Sequence, residues 1–257
     1  MIARYFSVAG GLARRLAANF LSSPALFLPP LLMPLFFFVA FAGGLSVVTR
    51  APGFDYPAGY TAFEFGFVLL QAAAFGGVFT GFSIAADFQF GFGRRLLLAT
   101  PHRSALIVGY GAVALVRAAI TIGLITAVAL AAGMKVLGSA GDLVSMYALA
   151  AIVNVAGTLF AAGIALRFRS LQATPLMMVP VFLFLFLAPV YVPRDLLGGW
   201  VHAVSPLDPI THVMETGRDL LAGQPADFLA ALAIALAMAA VLSVFAIRGL
   251  RRAEVAG

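Results

Sequence analysis

Apolar residues in this chain come in long runs and do not alternate with polar ones. Residues 16–49 contain no charged side chain, and five further stretches are nearly as continuous. A helix needs about 20 mostly apolar residues to cross the hydrocarbon core of a bilayer. Six windows reach that length: 24–48, 60–86, 104–132, 142–166, 173–192 and 228–247. Helices are expected because lipid offers the backbone no hydrogen-bond partners, and the runs are too long and too evenly apolar for barrel strands. The pattern therefore predicts an all-α polytopic membrane protein with six transmembrane helices, forming a single domain over 1–257.

Three segments break the pattern. In residues 1–22, Ile2, Phe6, Ala9, Leu12, Leu16 and Phe20 recur near helical spacing, with Arg4, Arg14 and Arg15 mostly off that stripe. This predicts an amphipathic helix lying in the membrane interface. Residues 87–103 form the longest loop on their side. A short helix is expected over 94–99, ending before Pro101 because a proline disfavours helix in its predecessor. Leu96, Leu97 and Leu98 supply apolar contacts there, while Arg94 and Arg95 supply charge. The loop reads equally as an orientation signal with hydrophobic anchors and as a docking helix for a partner. Residues 193–226 alternate apolar pieces under 14 residues with turn residues, which suits short re-entrant or interfacial helices and not a seventh span. Trp200, the only tryptophan, would sit at headgroup level. Glu215 and Arg218 are three apart, so they share a helix face and are expected to pair at the surface.

Composition closes off alternatives. Soluble domains are roughly 45–50% apolar and about 25% charged; this chain is 63% hydrophobic and 10% charged, with a mean hydropathy of +1.05. The spans use up the 257 residues and leave no separate soluble domain. The absence of cysteine rules out disulfides, thiolate metal sites and a thiol nucleophile.

Charge placement sets an expected orientation. Six spans put the N-terminus, the 87–103 loop, the connection between the fourth and fifth spans, and the C-terminus on one side. Eleven basic residues lie there: Arg4, Arg14, Arg15, Arg94, Arg95, Arg103, Arg167, Arg169, Arg248, Arg251 and Arg252. The other side carries four: Arg50, Lys135, Arg194 and Arg218. The positive-inside rule then places both termini in the cytoplasm of a bacterial inner membrane, with 193–226 outside. Basic charge that flanks apolar spans in this way argues against nucleic acid as a partner and for membrane lipid. Ala40-Phe41-Ala42 has the look of a signal-peptidase site, but the apolar run before it is too long for a signal peptide, and an uncleaved helix is expected.

Within the spans, Arg117 is the costliest residue, at about 2.5–3.5 kcal/mol on insertion scales. It is expected to face protein or water, either bonded to carbonyls or to Asn154 of the next span, or contacting cargo on a pathway. Gly77 and Gly81 allow a close helix approach. Several chemistries lack their residues. Lys135, the only lysine, has no Walker A context. His102, His202 and His212 lack metal spacing, and no catalytic set can be placed, so no catalytic, cofactor or metal residue is assigned. The acidic residues fall outside mid-membrane, which argues against an ion-coupled carrier.

Together these segments resemble the membrane subunit of type-2 ABC exporters, the permease group that includes antibiotic-resistance efflux and polysaccharide exporters. The resemblance spans nearly the whole chain. Its most specific part is Pro193, Leu196-Leu197, Trp200, Ser205-Pro206-Leu207, Glu215, Arg218, Leu220-Leu221 and Gly223, similar to the family's external signature. Gly93-Arg94-Arg95-Leu96-Leu97-Leu98-Ala99-Thr100-Pro101 is similar to its coupling helix with a terminal Thr-Pro. Ser205 and Asp208 depart from the usual Asn and Thr, and only Asp87 stands where the family has several acidic residues before the coupling helix.

The resemblance implies a permease without its own ATPase site. Arg94, Arg95, Leu96, Leu97, Thr100 and Pro101 would couple to two copies of a separate ABC ATPase that holds ATP and Mg. A second permease copy would complete the transporter as a homodimer or heterodimer, with the first, second and fifth spans lining the route. Trp200, Pro206, Glu215, Arg218 and Gly223 would shape the external gate, and Arg117 and Asn154 would be pathway candidates. The implied cargo is a hydrophobic drug or lipid-like molecule. A polysaccharide or lipid-linked glycan is the alternative cargo, and a non-transporting membrane scaffold the alternative role.

Overall fold

The computed structural model describes residues 2–100 and 103–255. Pro101, one of the expected coupling residues, lies outside the described residues. Among those described, ten α-helices follow one another: α1 (Ile2–Ser22), α2 (Pro24–Gly44), α3 (Tyr60–Gln89), α4 (Phe92–Ala99), α5 (Ser104–Ala131), α6 (Ala140–Phe168), α7 (Thr174–Leu187), α8 (Gly199–Val204), α9 (Pro209–Ala222) and α10 (Phe228–Val255). No strand occurs among the described residues.

Four helices are long and apolar enough to cross a membrane: α3, α5, α6 and α10. Two shorter apolar segments, Leu28–Gly44 and Leu171–Leu187, accompany them. α7 stops earlier than the apolar run predicts, because Pro189 forces Ala188 into an extended conformation (ψ 157°). α2 carries Pro29, Pro30 and Pro34 inside its helix. Each removes a backbone donor, a loss tolerated best where neighbouring helices re-satisfy the freed carbonyls.

α3 is the central post. It is buried around most of its circumference, and at 1.5 Å per residue it is about 45 Å long. Its tightest neighbour is α6, and the closeness comes from glycine. A β-carbon on Gly157 would sit 2.7 Å from the Ala74 carbonyl oxygen, and one on Gly77 would overlap the backbone of Gly157 and Thr158. Asn154 locks the same seam by donating from Nδ2 to the Ala73 carbonyl (2.8 Å). Gly81, the second member of the predicted pair, faces Ala161 of α6. Small residues thus let two backbones approach where lipid supplies no hydrophobic drive for association.

The remaining helices lean on this pair. α10 packs on α6, with Gly249 against the Gly163 carbonyl. α7 packs on α3 through the Phe75–Phe182 and Phe67–Phe186 ring pairs. α1 docks on α5, where Gly109 admits the Ala9 carbonyl and Leu12. Ala9, Leu12, Leu16 and Phe20 are buried, while Phe6 is exposed. Four residues of the amphipathic stripe, Ala9, Leu12, Leu16 and Phe20, thus pack against protein.

Candidate functional site

Two constellations stand at opposite ends of α3. At the α4 end, Asp87 is the meeting point of four elements. Arg15 of α1 reaches its carboxylate with both terminal nitrogens, Nη1 to Oδ2 at 3.2 Å and Nη2 to Oδ1 at 3.1 Å. The Tyr110 hydroxyl of α5 donates to Oδ2 at 2.6 Å. The Arg15 guanidinium also lies 3.7 Å from the centre of the Phe92 ring, at the start of α4. A bidentate pair holds an arginine in a defined plane, and that plane presents its π-face to the aromatic ring. One carboxylate thereby ties α1, α3, α4 and α5 into a single block. Two residues on, Gln89 Oε1 accepts from the Leu171 backbone N–H (2.8 Å), adding the connection between α6 and α7.

The α3–α4 turn is made by Gly91, whose φ of +80° is disfavoured for side-chain-bearing residues. α4 then presents two faces. Leu97 is buried in the apolar core, and Thr100, just beyond the helix, is also buried. Leu96 is half-buried, whereas Arg94, Arg95 and Leu98 are exposed, Leu98 at 81%. The outward face is thus cationic with an apolar centre, and Phe90 in the preceding turn extends it.

At the other end, α9 is bolted to α3 by Arg218. Nε donates to the Phe63 carbonyl (2.9 Å), Nη1 to Pro189 (2.7 Å) and Nη2 to Val190 (3.0 Å). The guanidinium lies 3.5 Å from the centre of the Phe63 ring. Gly66 makes room, since a β-carbon there would come within 2.8 Å of Arg218 Cγ. The Tyr56 hydroxyl donates to the Arg218 carbonyl (2.7 Å), and burial pushes its pKa well above the ordinary tyrosine value, keeping it a donor. Beside them, the Tyr60 hydroxyl lies 2.8 Å from Glu64 Oε1 and 3.1 Å from the Tyr191 carbonyl oxygen.

The rest of the 193–226 segment is held by caps. Asp208 accepts from the Ile210 backbone N–H (3.1 Å) and the Thr211 hydroxyl (3.2 Å), starting α9. Gly223 ends it with φ +66°, and the Leu137 and Gly138 amides donate to the Leu221 carbonyl. His212 Nε2 bonds the Pro206 carbonyl (3.0 Å), and Trp200 of α8 is largely exposed.

A family model for the ABC-2 type transporter matches residues 10–222. The chain belongs to the ABC-2 type transporter family. It is the membrane-spanning permease component of an ABC transporter, and its family works with an ABC ATPase subunit. Comparison with curated proteins gave no match.

In this permease the expected Glu215–Arg218 surface pair is replaced by a different arrangement. Arg218 is 3% exposed and directs its nitrogens to carbonyls, because that face of α9 packs on α3. Glu215 pairs instead with Arg194 at 4.0 Å. Arg117 is not bonded to Asn154. Its guanidinium lies 4.5 Å from the centre of the Phe20 ring in α1, and its Nε has no hydrogen-bond partner among the described residues. Asn154 bonds α3 instead. The residues that sequence reasoning passes over are Arg15, Tyr110 and Phe63, along with Glu64, which the span pattern groups with charges outside mid-membrane and which is fully buried. A carboxylate inside an apolar span, four residues from a tyrosine, is the available signal for Glu64.

Proposed function

We propose that this permease is one half of the membrane part of an ATP-driven exporter, moving a hydrophobic drug or lipid-like substrate out of the cytoplasm. The observation that carries the reading is the Asp87 clamp. A push received by α4 cannot stay local when Arg15, Asp87, Tyr110 and Phe92 tie α4 to α1, α3 and α5. Packed elements of this kind move as units, so force at α4 reaches the central post.

In this reading α2 and α7 cross the bilayer with the four longer helices, giving six spans. Both termini and α4 face the cytoplasm of a bacterial inner membrane. The exposed Arg94, Arg95 and Leu98 meet an ABC ATPase, which supplies ATP and Mg, while the permease hydrolyses nothing. Two ATPases and a second permease complete the assembly. The α9 segment, braced by Arg218, shapes the exit. The aromatic seam between α3 and α7 supports an apolar cargo, since the half-buried Phe182 and Phe186, backed by the buried Phe75 and Phe67, carry no charge.

The test is substrate-stimulated ATP hydrolysis by the complete complex in vesicles, across lipids, hydrophobic drugs and glycans. Stimulation by lipids or drugs is expected. Stimulation by glycans alone would overturn the substrate class, and failure to co-purify with any ABC ATPase of the source genome would overturn the transport role.

A further inference from the structure

A cavity of about 540 Å³ opens between α7 and α10 at mid-depth. None of the expected coupling or gate residues lines it. Its floor is Ala74 of α3 and Gly157 of α6, its flanks are Phe184 of α7 and Met238 and Val241 of α10, and Ile210 of α9 closes one end. The space follows from how the flanking helices are held. α10 is drawn onto α6 by the Gly163–Gly249 approach, while α7 is drawn onto α3 by its phenylalanine pairs. The two helices lean on different partners, and the floor between them carries residues too small to fill the gap.

We infer that this cavity is a binding site for one hydrocarbon chain of a membrane lipid, admitted sideways between α7 and α10. Three observations identify the occupant. The lining side chains are aliphatic, aromatic, thioether or proline, with none that can ionise. A polar headgroup or a sugar would find no hydrogen-bond partner there, and water needs two to four. The cavity is lined by α10, long and apolar enough to span, and the apolar α7; in the six-span reading proposed above, on which this point rests, its mouth faces the acyl region of the bilayer. The rim also continues the lipid-exposed surface, with Phe184 about half exposed and Val241 70% exposed. The volume lies within the range of roughly 300–1,000 Å³ usual for small-molecule pockets. A chain lying in it touches Ile210, two residues past the Asp208 cap, and so abuts the segment braced by Arg218.

The single tryptophan makes a direct test possible. In full-length Trp200→Phe permease, Phe160→Trp places a reporter in the cavity wall and Leu236→Trp places one on the exposed face of α10. Both are reconstituted into phosphatidylcholine vesicles whose acyl chains are brominated at mid-chain, which quenches only on contact. The cavity reporter is expected to lose as much fluorescence as the surface reporter. Filling the space with Ala237→Phe is expected to abolish that loss at position 160 and leave position 236 unchanged. If Ala237→Phe alters both reporters, Val181→Phe from the α7 side decides between the same two outcomes. An unquenched reporter at position 160, or quenching there that survives a filled cavity, would overturn the proposal. Neither result depends on the ATPase partner or on the exported substrate.

Discussion

Arg218 contacts Phe63 twice. Its guanidinium lies 3.5 Å from the centre of the Phe63 ring, and its Nε donates to the carbonyl of the same residue at 2.9 Å. The two contacts fix both the plane and the direction of the fork, and the remaining nitrogens reach the carbonyls of Pro189 and Val190. Those carbonyls follow the end of α7, where the chain is extended and has no helical partner for them. Arg218 thus satisfies buried backbone acceptors on two separate stretches of chain while anchoring a third, its own helix.

Replacing Arg218 by lysine should therefore destabilise the permease almost as much as replacing it by alanine. Lysine keeps the charge but not the planar fork. Each carbonyl left buried and unpaired costs about 1–3 kcal/mol. Thermal unfolding in detergent checks this, and a lysine variant with wild-type stability would show that charge alone is required. Glu215→Ala, which loses only a half-exposed contact to Arg194, should shift stability by at most about 1 kcal/mol.

The Asp87 clamp predicts non-additive energetics. Arg15→Ala, Asp87→Ala and the double variant should show a coupling of about 0.5–3 kcal/mol, as contacting residues in one network do. Unfolding of all three variants measures it. Additive losses would mean that the bidentate pair contributes nothing beyond its separate parts. Tyr110→Phe should weaken the clamp less, because the Arg15 contacts persist.

The two faces of α4 should separate by phenotype. Arg95→Glu and Leu98→Asp alter exposed positions, so they should abolish capture of the ATPase while leaving the permease folded. Leu97→Ala removes a buried side chain and should lower stability by about 2–5 kcal/mol. Pull-down and unfolding on the same preparations distinguish the two. Lost capture with Leu97→Ala at unchanged stability would reverse the assignment of faces.

Gly157→Ala should be among the most damaging single-methyl changes, since the new carbon meets the Ala74 carbonyl at 2.7 Å. Overpacking of this sort costs about 1–3 kcal/mol, and here it also strains the α3–α6 seam beside Asn154. Gly111→Ala, where nothing lies within 4 Å, serves as the neutral comparison.

Orientation is open to cysteine labelling, because the chain has no cysteine of its own. Gln224→Cys should react with an impermeant reagent from outside intact cells, and Arg252→Cys only after permeabilisation. Both positions are exposed, whereas the neighbouring Ala222 and Ala253 are buried and would report burial instead of sidedness. The reverse pattern would overturn the placement of both termini in the cytoplasm.

Much of this was legible in the chain itself. Apolar runs located the helices, because a long stretch without charge has few other stable solutions in lipid. Turn residues marked 193–226 as broken, and the Gly93–Pro101 pattern marked α4. The partners were not legible. Glu215 and Arg218 share spacing, but a helix surface says nothing of what packs against it, and α3 took Arg218 away from its neighbour. Asp87 looked like a remnant of a docking motif. Its partners Arg15 and Tyr110 lie 72 and 23 residues away, beyond the reach of any local pattern.

The sequence by itself determined that the chain is helical, that it belongs in a membrane, which segments interrupt the spans, and which family they resemble. Those properties depend on hydropathy and turn chemistry, which act over a few residues. Only the tertiary structure decided that Arg218 serves backbone carbonyls, that Leu98 and not Leu97 faces outward, and that a hydrocarbon-lined cavity separates α7 from α10. Such outcomes depend on which helices pack together. In this chain glycines at Gly77, Gly157 and Gly163 settled how α6 packs on α3 and α10, and phenylalanine pairs settled how α7 packs on α3. The missing side chains of those glycines matter only once a second helix lies against them.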